Sequence, residues 1–164
     1  MESKSDRKPY ISLLIALLIS YVVMFFLMLS RVNEFANLFL SLNQVYMAGL
    51  MIAAMLIIML TAMGSMYKNK KLNIALLIGG TAIIFMFWTL LRSQTGVGNQ
   101  QFLRSMIPHH AAAILVCEQA SLTDSRIQQL CTEIVKTQKE EIRIVMVNMK
   151  TVMCQELSIF IYHI

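Results

Sequence analysis

Three stretches of the chain, Ile11–Ser30, Val45–Met66 and Leu72–Leu91, contain no Asp, Glu, Lys, Arg or His. Each reaches the length of about 20 residues at which an apolar helix crosses a bilayer core. The overall composition agrees: 57% of residues are hydrophobic and 14% charged, against roughly 45–50% and 25% in soluble domains. The charge density of a water-facing segment returns only after Arg104.

The first run follows Lys4, Arg7 and Lys8, as a signal peptide would. Its apolar length exceeds the usual span of about 7–15 residues and no small-x-small cleavage site follows, so it reads as a retained helix. Cations at helix ends set the orientation. Lys68, Lys70 and Lys71 fill the turn between the second and third helices, whereas the connection Arg31–Gln44 carries Arg31 alone and the region after the third helix carries Arg92 and Arg104. The N-terminus and the "YKNKK" turn therefore belong in the cytoplasm, and everything after the third span outside. This gives a cytoplasmic N-terminus at 1–10, a three-span membrane domain at 11–92, a linker at 93–98 and an extracytoplasmic helical domain at 99–164. The net charge of +5 reflects topology and contact with anionic lipid headgroups. No array of aromatic and basic residues points to nucleic acid.

Inside the spans, methionines recur at 47, 51, 55, 59 and 63. A step of four advances slowly around a helix, so their sulfurs trace a spiral ridge that either packs into a groove or offers thioethers to a soft metal. Packing is the favoured reading. Gly49 with Ala53 and Ala75 with Gly79 are small-residue pairs that allow close helix approach. The spans hold no ionisable group, so a proton relay or charged pore has no support.

The outer part is organised around "FLRSMIPHHAAAILVCEQA", residues 102–120. Asn99 is placed to cap a helix entering at Gln100. Pro108 then either kinks that helix or starts a new one. Helical spacing puts Met106, His110, Ala113 and Cys117 along one side, with His109 flanking them. Thr123 or Asp124 can cap a second helix from about Ser125 to Lys150, whose inward residues are expected to include Ile127, Leu130, Gln138, Glu141 and Ile142. A short break joins the two helices into a hairpin. Cys117 and Cys131 can meet across it as a disulfide, or remain small buried hydrophobes; with Cys154 they make an odd count. The C-terminal "ELSIFIYHI" either packs on the hairpin or lies on the membrane, and His163 within it carries no assigned role.

The string "FLRSMIPHH" followed by "IQQLCTEIVKTQKEEI" resembles the bacterial family catalogued as domain of unknown function 305. Its signature residues fall here on Phe102, Met106, Ile107, Pro108, His109, His110, Glu133, Ile134, Gln138, Glu141 and Ile142, covering about residues 99–146, and the three-span front end resembles a membrane-anchored subgroup. The resemblance implies a ferritin-like helical bundle and, as in some exported members, copper binding through His and Met. Carried over by position, the candidate ligands are Met106, His109, His110, Glu141 and Gln138. Two positions depart from the family pattern: Val145 and Val116 stand where members often carry methionine.

These readings combine into an all-α chain of three transmembrane helices and an extracytoplasmic hairpin resembling a ferritin-like bundle. The expected function is non-enzymatic copper binding, handling or tolerance at the outer face of the bacterial cytoplasmic membrane, with copper-handling proteins as partners. A hairpin of this size buries too little surface to stand alone, so it is expected to pair with another copy, as a homo-oligomer completing a four-helix bundle, or to dock on the spans. The competing reading is a membrane interaction or assembly module with structural histidines. A metal-dependent hydrolase ranks last, because no nucleophile, base and orienting group occur together.

Overall fold

A computed structural model of the chain describes the backbone of residues 4–162 and the side chains of residues 7–155. Five α-helices and one short 3-10 turn make up the described residues, with no strand among them: α1 Lys4–Leu29, α2 Leu42–Ala62, α3 Lys70–Ser93, α4 Asn99–Gln119 and α5 Ser125–Tyr162. The all-α expectation holds. The chain divides into two compact units, one formed by Met1–Leu27 with Asn43–Thr95 and the other by Met28–Leu42 with Gly96–Ile164.

The first unit holds all but the terminal residues of the three candidate spans, Arg7–Leu29, Leu42–Ala62 and Lys70–Ser93. At about 1.5 Å per residue each exceeds the roughly 30 Å of a hydrocarbon core. Leu13, Leu17, Leu60 and Tyr67 form its buried cluster, with Met55, Met59 and Leu76 packed against it. Their outward neighbours, such as Leu14, Phe26, Ile78 and Phe85, are exposed apolar groups that lipid would solvate. Of the five ridge methionines, Met55 and Met59 pack against this cluster, whereas Met47, Met51 and Met63 are exposed.

Gly49 lies directly beneath the ring of Phe87, where an added Cβ would come within 2.6 Å of it. Gly79, expected to mediate close approach, faces open space; its neighbour Gly80 lies against Leu56 and Ile57 instead. The α2–α3 turn is closed by polar groups. Asn69 caps α3 by accepting from the Leu72 N–H at 3.0 Å, and the Tyr10 hydroxyl donates to Asn73 Oδ1 at 2.7 Å. Such bonds satisfy donors and acceptors that the helix ends leave open.

In the second unit α4 and α5 pack as an antiparallel hairpin. α4 begins one residue earlier than the Asn99 cap predicts, with Gly98 as its N-cap. It also runs unbroken through Pro108. A mid-helix proline costs roughly 3 kcal/mol, but Ile107, Ala111 and Ile114 on either side of it are fully buried. Their burial, at roughly 1.5–3 kcal/mol for each large side chain, outweighs the cost. Asp124 starts α5, its Oδ1 accepting the Arg126 N–H at 2.8 Å. α5 then extends well past the expected end near Lys150 to Tyr162. Ile127 and Leu130, expected to face α4, are exposed.

The segment between α1 and α2 belongs to this unit. Val32 and Phe39 pack on the cluster of Ile107, Ala111, Ile114 and Ile142. The Leu42 N–H donates to Gln101 Oε1 at 3.1 Å, tying the segment to the first turn of α4. His163 and the side chains of "ELSIFIYHI" from Glu156 onward lie outside the described residues.

Candidate metal centre

The hairpin is bridged at two levels. Cys117 of α4 and Cys131 of α5 form a disulfide with their Cα atoms 5.3 Å apart, within the usual range. The second bridge lies seven residues back along α4 and seven residues on along α5, where His110 meets Gln138. Seven residues is close to two helical turns, so both pairs lie on the same faces of the two helices. The disulfide therefore fixes the antiparallel register that sets His110 opposite Gln138. It also removes Cys117 as a source of a thiolate ligand.

Around His110 the donors and acceptors form a closed set. Its Nδ1 contacts Gln138 Oε1 and lies 3.0 Å from Glu141 Oε2. The Gln138 side-chain amide donates to that same Glu141 oxygen at 2.9 Å. Both neighbours of Nδ1 are acceptors, so Nδ1 carries a proton and, in the neutral ring, Nε2 keeps its lone pair. A metal-binding histidine commonly has this arrangement, with one ring nitrogen bonded to a carboxylate or carbonyl and the other presented to the ion. The His110 side chain is 13% exposed and that of Glu141 42%, so the cluster opens on one side.

Four of the five sequence-derived candidates fall into this neighbourhood. His110, Gln138 and Glu141 are in direct contact, and the His109 ring lies 5.8 Å from that of His110, nearly perpendicular to it. His109 is exposed. Met106, half-buried, sits one helical turn before His110 on α4. Gln138 and Glu141 engage His110 itself. Among the described residues no three His, Cys, Asp or Glu side chains gather closely enough to hold an ion. One chain thus offers an oriented imidazole, a second imidazole and a thioether.

The segment that carries Val32 and Phe39 was not part of the sequence expectation. It has neither helical periodicity nor a motif, and nothing in its residues marks it as a cover for the Pro108 region.

Residues 89–151 match the model of a family described as Domain of unknown function (DUF305). An uncharacterised protein, L153, of Acanthamoeba polyphaga mimivirus is 33% identical over 112 residues, covering 67% of this chain and 72% of its own length. No solved structure matches the chain.

Proposed function

As a member of the DUF305 family with three helices long and apolar enough to span a bilayer, this chain is, we propose, a membrane-anchored copper-binding protein. It handles copper, or confers tolerance to it, on the outer face of the membrane and catalyses no reaction. The observation that carries this reading is the hold on His110: Gln138 and Glu141 engage Nδ1 and leave Nε2 to an ion, with the His109 ring next to it and Met106 one helical turn earlier on α4. In this reading His110, His109 and Met106 are the ligands. Glu141 and Gln138 fix the tautomer and the orientation of the His110 ring. The hairpin would be half of a ferritin-like four-helix bundle.

The proposed orientation puts the N-terminus in the cytoplasm and the hairpin outside, following the lysines at 68, 70 and 71. The Cys117–Cys131 disulfide supports it, since such bonds persist in oxidising compartments and on virion or cell surfaces. The viral relative extends the setting beyond the bacterial inner membrane. A reporter fused after Ile164 that is active only in the cytoplasm would overturn this orientation.

The deciding experiment is a Cu(I) and Cu(II) titration of the detergent-purified full chain beside a His109→Ala, His110→Ala variant of the same oligomeric state. Near-stoichiometric copper lost in the variant is the expected result. Equal copper in both, or none in either, would remove the proposal. The competing reading, an assembly module whose histidines are structural, draws on one observation: His110 Nδ1 is already satisfied by protein groups alone.

A further inference from the structure

The disulfide of the hairpin is not sealed in its core. Cys117 and Cys131 are both half-buried. Both line a cavity of about 360 Å³ near the connection from α4 to α5, together with the polar side chains of Glu118, Gln128 and Thr132. That volume is in the range of small-ligand pockets. Thiol–disulfide exchange requires an incoming thiolate to reach one sulfur of the bond, so a bond that lines a cavity is open to exchange as a buried one is not.

Contacts that involve no sulfur hold the two cysteine positions together. Ile114 and Val135, each one turn from a bridge cysteine, belong to the same apolar cluster. At the other end the Gln128 side-chain amide donates to the Leu122 carbonyl at 2.8 Å and ties the connection to the start of α5. Lys139 of α5 reaches Glu118 of α4 at 2.9 Å, and His110 meets Gln138 two turns from the bridge. Breaking the S–S bond therefore leaves two thiols opposed on backbones whose Cα atoms are 5.3 Å apart.

We infer that Cys117 and Cys131, once reduced, form a second metal site, a pair of thiolates that binds one Cu(I). The disulfide is the closed state of this site, and a dithiol reductant opens it. One thiolate of the reductant attacks a protein sulfur, and its second thiol then releases the mixed disulfide. The protein S–S bond breaks, an S–S bond forms in the reductant, and two electrons and two protons pass to Cys117 and Cys131. Cu(I) then displaces both protons to solvent as two S–Cu bonds form, and its oxidation state does not change. Thiolates are soft donors of the kind that select Cu(I), a cation that accepts two ligands. Among the described residues no third His, Cys, Asp or Glu joins the pair.

This site lies seven residues from His110 along α4, about 10 Å away, and shares no ligand with the centre proposed above. It stands without the copper reading of His109 and His110. The free Cys154 is about 35 Å from Cys131 along α5, too far to join the pair or to exchange with it inside one chain. The redox state of the surroundings decides whether the site exists.

The test uses the full chain in mild detergent with His109→Ala and His110→Ala, which silence the other centre, and Cys154→Ser, which removes the third thiol. One sample is left oxidised, and another is reduced by a water-soluble dithiol that is then removed. Both are titrated with Cu(I) against a chromogenic chelator without oxygen. The reduced chain is expected to bind one Cu(I) about 100-fold or more tightly than the oxidised chain, to lose both alkylatable thiols on loading, and to show sulfur ligation by X-ray absorption. A further Cys117→Ser or Cys131→Ser substitution is expected to abolish the difference. Equal affinity in the two redox states, undiminished affinity in either serine variant, or ligation without sulfur overturns the site. A bond that the dithiol cleaves only in denaturant overturns its exchange, and a reduced chain that loses its helicity overturns the opposed pair. Displacement of the bound Cu(I) by equimolar Zn²⁺ overturns the choice of metal. Oxidised wild type that binds no copper sinks the reading of His109 and His110 and leaves this site standing.

Discussion

Reducing the Cys117–Cys131 bond should loosen the part of the molecule that orients His110. The bond closes a loop with a sequence separation of 14, and a loop near 15 residues corresponds to about 3 kcal/mol of chain entropy removed from the open state. That is smaller than the packing it assists: truncating the fully buried Ile107 and Ile114 is expected to cost about 2–5 kcal/mol for each of the two. The reduced hairpin should therefore remain folded but open more often. At about 1.4 kcal/mol per decade, 3 kcal/mol raises the opening equilibrium by roughly a hundredfold. Amide hydrogen exchange on the full chain, with and without a phosphine reductant, reads this directly. Amides of residues 107–117 and 131–142 should lose about two decades of protection, while those of α2 should not change. Protection that falls less than about threefold in the hairpin, or falls equally in α2, would refute the reasoning, because the register would then be held by packing alone.

Ile114→Ala should lower the thermal midpoint of the hairpin by an amount corresponding to about 2–5 kcal/mol, whereas Val116→Ala, two residues away but exposed, should stay within about 0.5 kcal/mol in a monomeric background; calorimetry separates them. Glu141→Gln should leave helicity intact and weaken Cu(I) binding about 10-fold, as loss of an orienting partner does; an unchanged affinity would mean that the carboxylate does not position His110. Asp124 is held below the usual carboxylate range, first by the hydrogen bond from the Arg126 side chain and then by the Arg126 backbone N–H. A carboxyl with a lower pKa folded than unfolded stabilises fully above its unfolded value and loses that contribution as pH falls through the folded one. The first turn of α5 should therefore fray in acid, and NMR shifts of residues 125–128 should follow the Asp124 titration in the wild type but not in Asp124→Asn.

The sequence makes the spans legible because a charge-free run of that length has few physical alternatives, and the hairpin helices because their apolar period and the Asp124 cap are local signals. What depends on pairing is not legible. Leu130 repeats with Ile134 as an inward residue would, yet it is exposed, because only the partner helix decides which side of a broad apolar arc is inward. The same holds for Pro108, a local breaker overruled by neighbours buried from two sides. One of those sides is supplied by Val32 and Phe39, single apolar residues in a segment with no period to read.

The register of the hairpin shows why the candidate centre was half visible. Cys117, His110, Cys131 and Gln138 are each conspicuous in the chain, but the equal spacing of seven on two helices running in opposite directions acquires meaning only once one of the two pairs is known. The disulfide supplies that pair, and Gln138 then follows as the partner of His110. Glu141, one turn further along α5, is brought to the same nitrogen. The acidic residue read from sequence as a candidate ligand is thus in contact with another candidate, His110.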